Sequence, residues 1–199
     1  NAKHVFYIAS STEDDAILIA RRMRDSAFKN HLLALPEGAE LEMDDAFGDF
    51  VLREGCTRAV VMIAGGIGIT PVLSMLRDAL HRDSQRQFVV LYSNRCLEDA
   101  LFVQELLELE KSALKLKLLL TMTQVRDCAP GWEGMTGYIT AQKIRLSCEG
   151  LDRPYFYVSG TPAFVAAMDD QLEEAGVDRA DMLIESFSGY GLPPSGFLS

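Results

Sequence analysis

From Arg58 onward, short runs of β-branched and aromatic residues alternate with longer stretches whose apolar positions recur at helical spacing. This alternation predicts an α/β fold: a parallel sheet with helices on both faces, because each strand must bury both of its sides. Five strands are expected, over residues 59–64, 88–92, 114–121, 155–159 and 182–187, with helices over 71–81, 99–111 and 162–175. The third strand begins with Leu and Lys alternating and then becomes continuously apolar, as a strand entering a buried sheet should. Gly176 stands where the last of these helices needs a C-cap.

The first 57 residues follow another pattern. Residues 5–9, 17–21 and 40–43 have strand character and are joined by polar turns, and 26–35 suggests one short helix. That predicts a mostly antiparallel piece with too few strands to close a barrel. The expected boundary lies near 54–57 and divides the chain into 1–56 and 57–199. Between the third and fourth strands, residues 124–137 collect three Gly, one Pro and the only Trp. A stretch this long inside a compact domain is more often functional than accidental, and two readings stand, a lid and a disordered loop tip.

Composition, 48% apolar and 24% charged, is that of an ordinary globular chain. The net charge of −10 opposes non-specific binding to nucleic acid and to anionic lipid. Apolar runs fall far short of the roughly 20 residues that span a bilayer, so no membrane insertion is expected. The first residues lack the pattern of a secretory signal, which makes a cytoplasmic location the simple expectation. Cys56, Cys96, Cys128 and Cys148 are scattered without a Cys-x-x-Cys pair, so reduced, packing cysteines and no metal site are expected.

Candidate chemistry concentrates at strand ends. Gly65-Gly66-Ile67-Gly68-Ile69-Thr70-Pro71 follows the first strand and opens the first helix. Glycine there lets a phosphate approach the backbone, and a helix N-terminus supplies N–H groups and a favourable dipole. Thr70 suits a cap and Pro71 a first helical position. Pro71 stands where a dinucleotide fingerprint has its third glycine, so nucleotide binding and a plain tight turn weigh equally on this motif alone. Ser159-Gly160-Thr161-Pro162 repeats the arrangement after the fourth strand, and two such junctions on one sheet edge favour a ligand crevice.

These motifs, together with Phe6-Tyr7-Ile8-Ala9-Ser10, Phe47-Gly48-Asp49-Phe50, Tyr92-Ser93-Asn94-Arg95 and Ile184-Glu185-Ser186-Phe187, make the chain resemble the ferredoxin-NADP reductase superfamily over almost its whole length. The resemblance implies a five-stranded parallel NAD(P)-binding sheet preceded by part of an antiparallel β-barrel flavin domain. It implies FAD and NAD(P)H as cofactors, hydride transfer from one to the other, and electrons passed on to a protein, haem or metal acceptor.

Residue by residue, it places Phe6, Tyr7, Ile8, Ala9 and Ser10 at the flavin and Gly65, Gly66, Ile67, Gly68, Thr70 and Pro71 at the dinucleotide turn. Ser93, Asn94 and Arg95 fall at the adenosine ribose, and Ser159, Gly160, Thr161, Pro162, Glu185 and Phe187 beside nicotinamide and flavin. Tyr7, Ser159 and Glu185 become the catalytic candidates. The family's Arg-x-Tyr-Ser is His4-Val5-Phe6-Tyr7 here, similar to the ferric reductase and NADPH oxidase branch, and the family's cysteine is Ser159.

Arg95, with no acid nearer than Glu98 in the loop, suggests NADPH over NADH, against the reading of a surface arginine. Glu185 is a candidate proton relay to flavin, against a solvated carboxylate. A second class of function stands beside the enzyme, a nucleotide-sensing regulatory subunit or truncated reductase without a working flavin site, favoured by His4, Tyr7 and the short first part.

Overall fold

The computed structural model describes residues 4–21, 27–82, 85–112, 115–125, 132 and 134–187. Its centre is a sheet of strands β1 (Val60–Gly65), β2 (Gln87–Asn94), β3 (Lys115–Met122), β4 (Met135–Thr136), β5 (Tyr155–Gly160) and β6 (Met182–Ser186). All pairings are parallel and the order is β4-β3-β2-β1-β5-β6. The chain therefore winds outward from β1 in one direction through β2 and β3, and crosses to the other side for β5 and β6. Ligand crevices of open α/β sheets form at such a reversal, at the carboxyl ends of the strands.

Period-two alternation divides the core into two layers. Val60, Met62 and Ala64 of β1, with Phe88, Val90 and Tyr92 of β2, pack under helices α2 (Ile69–His81) and α3 (Val103–Lys111). Val61, Ile63, Val89 and Leu91 pack on the opposite face, where Ile144 of α4 (Ala141–Ser147) and Met168 and Leu172 of α5 (Pro162–Ala175) cover them.

The structure departs from the sequence expectation in several places. The sheet has six strands, not five, because Met135–Thr136 pairs with Thr121 and Met122 inside the glycine-rich stretch. Two residues are too short for any periodicity to reveal. Helix α4 was not expected either; Thr140 caps it by accepting from the Lys143 N–H. Helix α3 starts four residues later than expected, since Phe102 is left-handed at φ 59° and the Leu101 N–H is drawn to the Tyr92 hydroxyl. Residues 126–131 and 133 of the long stretch lie outside the described residues.

In the first 57 residues, helix α1 (Ala27–Leu33) forms within the expected range. The antiparallel pairing, however, is confined among the described residues to one bridge, Ile8 to Ile19. Leu41 and Met43 are 67% and 64% exposed, and among the described residues the expected strand 40–43 pairs with no other strand. No barrel is described.

Two sets of contacts fasten this segment to the sheet. On α2, Arg77 donates to the Ala9 carbonyl at 3.0 Å and to Glu105 at 2.6 Å, and the Ser74 hydroxyl donates to the Ser10 carbonyl at 2.6 Å. At the amino end of β5, the Phe50 ring meets Tyr157 edge-on, the Arg53 N–H donates to the Tyr157 hydroxyl, and the Arg53 and Arg58 guanidiniums cover Tyr155. Burial disfavours the charge of Asp181, but the hydrogen bonds and charges of Arg58 and Arg153 outweigh it and hold the carboxyl below its ordinary range.

The cysteines also differ from expectation. Cys96 is disulfide-bonded, while Cys56 and Cys148 are free thiols. Sequence separation places no limit on closeness in the fold, which is why spacing alone missed the disulfide. Burial pushes the Cys148 thiol up, so it stays protonated near neutrality. Among the described residues, no helix is long and apolar enough to cross a membrane, and no group of three or more His, Cys, Asp or Glu could hold a metal ion.

Candidate functional site

The sheet register sets the site. Gly65 pairs with Ser93, Ala64 with Ser159 and Ser159 with Glu185, so residues widely separated in sequence stand in a row along the carboxyl edge. After Gly65 the chain makes a 3-10 turn, Gly66–Gly68, and enters α2. Gly66 takes φ +54°, a left-handed conformation that side chains disfavour, and a Cβ there would meet nothing within 4 Å. At Gly66 the turn thus offers open backbone at the start of a helix, while Gly68 is buried.

The capping differs from expectation. Gly68 is the N-cap of α2 and no side chain caps the helix; Thr70 and Pro71 stand second and third in it, and the Thr70 hydroxyl donates back to the Ile67 carbonyl. Both residues shape the turn instead of closing it. At the second junction the expectation holds: Thr161 caps α5 by accepting from the Phe164 N–H, with Pro162 at the first helical position.

The two junctions interlock. The fully buried Ser159 hydroxyl donates to the Gly68 carbonyl at 2.7 Å. That hydroxyl is therefore committed to joining β5 to the glycine turn. A Cβ on Gly68 would fall on the Ser159 carbonyl, so the backbones touch only because residue 68 has no side chain. Beside them, the Phe164 ring covers both Gly65 and Gly160, each of whose Cβ positions would come within 2.6 Å of a ring carbon. Motif reading had not singled out Phe164; the signal available was an aromatic four residues beyond a strand-end glycine.

At the end of β2, Ser93 and Asn94 are buried. Neither amide atom of Asn94 has a hydrogen-bond partner, a cost of about 1–3 kcal/mol unless a ligand or water relieves it. Arg95 is largely exposed and pairs with Asp99 at 2.9 Å. The acid that sequence reading did not see beside Arg95 is brought there by the 3-10 turn Leu97–Asp99.

The first and last motifs meet on the other side of the sheet. The Tyr7 hydroxyl donates to Glu185 Oε1 at 2.5 Å, and the Tyr7 ring stacks on Phe187 with centroids 3.8 Å apart. The Phe187 N–H donates to the Gly160 carbonyl, which ties this group to the second junction. Burial first, then the Glu185 hydrogen bond and charge, raise the Tyr7 pKa well above its ordinary 10.0 and keep the phenol protonated. The Phe6 ring neighbours Phe28 and is covered by the Arg21 guanidinium, and His4 stacks on Phe28. Ile8 forms the bridge to Ile19, the Ala9 N–H donates to the Leu18 carbonyl, and Ser10 Oγ accepts from the Leu18 N–H.

An α/β sheet with an open glycine turn at its reversal point is matched by a known family model. Residues 62–170 match the oxidoreductase NAD-binding domain. The chain belongs to this family. Among relatives of this NAD-binding domain, a component of the Na(+)-translocating NADH-quinone reductase of Pseudoalteromonas atlantica is 28% identical over 92% of the chain and 44% of its own length. A flavohemoprotein of Bacillus subtilis is 30% identical over 71% of the chain and 36% of its own length. The crystal structure of a flavohemoglobin from Malassezia yamatoensis, with bound FAD and haem, superposes with a TM-score of 0.76 at 26% identity, covering 92% of this chain and 46% of that one. The chain thus spans less than half the length of these relatives. They bear out the resemblance to ferredoxin-NADP reductases that the motifs suggested.

Proposed function

We propose that this chain is the NAD(P)H-binding part of a flavin-linked reductase, residues 57–199 forming the dinucleotide domain and 1–56 part of the flavin domain. The observation that carries this reading is the carboxyl edge itself. An open, left-handed Gly66 stands at an uncapped helix start, beside the switch point between β1 and β5, within a family defined by NAD binding. The turn Gly66–Gly68 with the start of α2 suits a pyrophosphate, because backbone N–H groups and the helix dipole favour a doubly charged anion.

Ser93, Asn94 and Arg95 suit the adenosine ribose, and the orphaned Asn94 amide is the kind of group a bound ligand or its water satisfies. Ser159, whose hydroxyl is committed to Gly68, acts in this reading as the latch that holds the turn in register. Thr161 and Pro162 hold Gly160 in place by starting α5 directly behind it. Tyr7, Glu185 and Phe187 mark the end of the crevice where nicotinamide and flavin would meet.

FAD is the cofactor the relatives point to, with Phe6, Ile8, Ala9 and Ser10 as its neighbours. A planar ring needs about 3.5 Å on each side, so about 7 Å between flanking rings. The 3.8 Å separation of Tyr7 and Phe187 offers no such slot between them. Tyr7 and Phe187 would therefore hold a flavin ring beside their stack, not between the two rings as they stand. When bound, FAD supplies acceptance of a hydride and release of single electrons; this chain's residues supply position, a protonated phenol and a carboxylate. The electron acceptor in this reading is a protein or a haem or metal centre, supported by the flavohemoglobin whose structure carries both FAD and haem. The regulatory reading has less support, since those relatives are reductases or haem-linked flavoproteins.

NADPH is the proposed electron donor. Arg95 is engaged by an exposed pair with Asp99, worth about 1 kcal/mol or less, so it can exchange to a ribose phosphate at little cost. Arg95→Ala is expected to weaken NADPH binding about tenfold while leaving NADH nearly unchanged, read by titration of both. Equal effects on the two would remove Arg95 as the selector. The function is tested by the visible spectrum of the chain reconstituted with FAD, before and after anaerobic NADPH. Bleaching of the flavin band is expected; failure to take up FAD together with failure to bind NADPH overturns the reading.

A further inference from the structure

A cavity of about 390 Å³ lies at the amino end of β5, away from the dinucleotide crevice. Clefts of about 300–1,000 Å³ are the size that small ligands occupy. Its floor is Pro154 and Phe156, where β5 begins, with Ile144 of α4, all three buried. Cys148 and Val177, which follow the ends of α4 and α5, line its walls, and Arg145 and Arg153 stand exposed at its rim. The cavity exists because both helices stop before covering the start of β5. After α5 the chain turns away at Gly176, left-handed at φ 82°, where a Cβ would meet nothing within 4 Å. At about 3.3 Å per residue, β5 puts Gly160 and its junction about 17 Å from this end, and the cavity shares no residue with the glycine turn or the aromatic pair.

The rim is held in place by its own contacts. Arg153 has a left-handed backbone, φ 40°, which side chains disfavour. It is fixed from two sides, its carbonyl accepting from Arg58 Nε and its Nη2 donating to Asp181 at 2.9 Å. Arg145 Nη1 donates to the Glu174 carbonyl at 3.0 Å, which sets a guanidinium over the end of α5 and leaves its other N–H groups for a ligand. Two acids also line the cavity. Asp181 is shared by Arg58 and Arg153, and Asp178 accepts from the Ala180 N–H. The charge that acts on the Cys148 thiol is the Lys117 ammonium, so β3 adds a cation to this wall. The negative poles of α4 and α5 oppose an anion here, but a helix pole is weaker than one charge-assisted hydrogen bond from a guanidinium. We infer that this cavity binds a small planar carboxylate with an apolar ring system, the ring over Phe156 and Ile144 and the carboxylate on Arg145. A guanidinium is a planar fork that matches a carboxylate through paired hydrogen bonds, and the apolar floor favours a ring over water.

The test is a calorimetric titration of the unmodified chain and of Arg145→Gln with 2-naphthoate and with the neutral 2-naphthalenemethanol. Alkylation of Cys148 by iodoacetamide, followed by mass spectrometry of its peptide, locates the ligand. The expected result is that the unmodified chain binds the carboxylate about tenfold more tightly than the alcohol, and that Arg145→Gln removes this difference while its circular dichroism is unchanged. Bound 2-naphthoate should slow alkylation of Cys148 several-fold and leave that of Cys56 unaltered, with or without saturating NADPH. Absence of binding at millimolar 2-naphthoate, equal affinity for acid and alcohol, or an undiminished preference in Arg145→Gln overturns the site. Equal protection of Cys56 and Cys148, or displacement of 2-naphthoate by NADPH, places the ligand elsewhere and overturns it as well. The dinucleotide reading stands or falls separately, on the binding of NADPH itself.

Discussion

Gly68→Ala is expected to destabilise the fold by about 3 kcal/mol and to abolish measurable dinucleotide binding. The added Cβ would fall on the Ser159 carbonyl oxygen and within 2.6 Å of its carbon and 2.9 Å of the Gly160 Cα. These are backbone atoms of β5, held by neighbours on both sides, so they cannot turn aside as a flexible side chain could. Relief requires β5 and the turn to separate, which also breaks the 2.7 Å bond from Ser159 to the Gly68 carbonyl. For a chain of this size the loss corresponds to a fall in melting temperature of roughly 6 to 12 °C. Ser159→Ala provides the comparison. It leaves the Gly68 carbonyl without its partner but adds no clash, and should cost about 1–3 kcal/mol. A Gly68→Ala protein that melts with the unmodified chain would show that the close approach is not what the turn requires.

Glu185→Ala is expected to slow NADPH-dependent flavin reduction about a hundredfold while changing NADPH affinity much less. Glu185 is the acceptor that orients the Tyr7 phenol, and both stand at the strand end where nicotinamide and flavin are proposed to meet. Tyr7→Phe keeps the ring on Phe187 and removes only the donated proton, so its smaller effect on rate isolates the hydrogen bond from the stack. A readout independent of turnover follows from the raised Tyr7 pKa.

Below the ordinary 10.0, folded and unfolded chains both hold the phenol proton and pH leaves this contribution unchanged. As pH rises past that value the unfolded chain loses the proton first, so the folded state binds more protons and becomes progressively less stable. Tyr7→Phe removes that alkaline loss. Urea denaturation at pH 8 and pH 11 should therefore show a smaller drop for Tyr7→Phe than for the unmodified chain. Equal drops would mean that the Tyr7 proton is not held by the fold.

Much of this fold was legible because its signals are local. The strands of the parallel sheet bury both faces, so they appear as continuous apolar runs, and α5 declares both ends through Thr161-Pro162 and Gly176. The glycine turn was legible for the same reason, since a strand must stop and a helix must start within a few residues. Strand β4 and helix α4 were missed because two and seven residues carry too little periodicity. The 40–43 segment was misjudged as a strand because strand propensity describes fitness for a paired surface and says nothing about whether a partner exists.

The order of apolar runs, glycines and caps was enough to establish the parallel α/β architecture, the reductase-like family and the edge on which its chemistry lies. Those properties depend on each residue's neighbours in the chain, and a period or a cap is complete within a dozen residues. The contacts that define the site depend instead on distances between strands. Only folding brings Tyr7 to Glu185, commits the Ser159 hydroxyl to Gly68, leaves the Asn94 side-chain amide buried without a partner and lays Phe164 across two glycines. Each of these follows from register and packing between distant segments, and no local pattern encodes it.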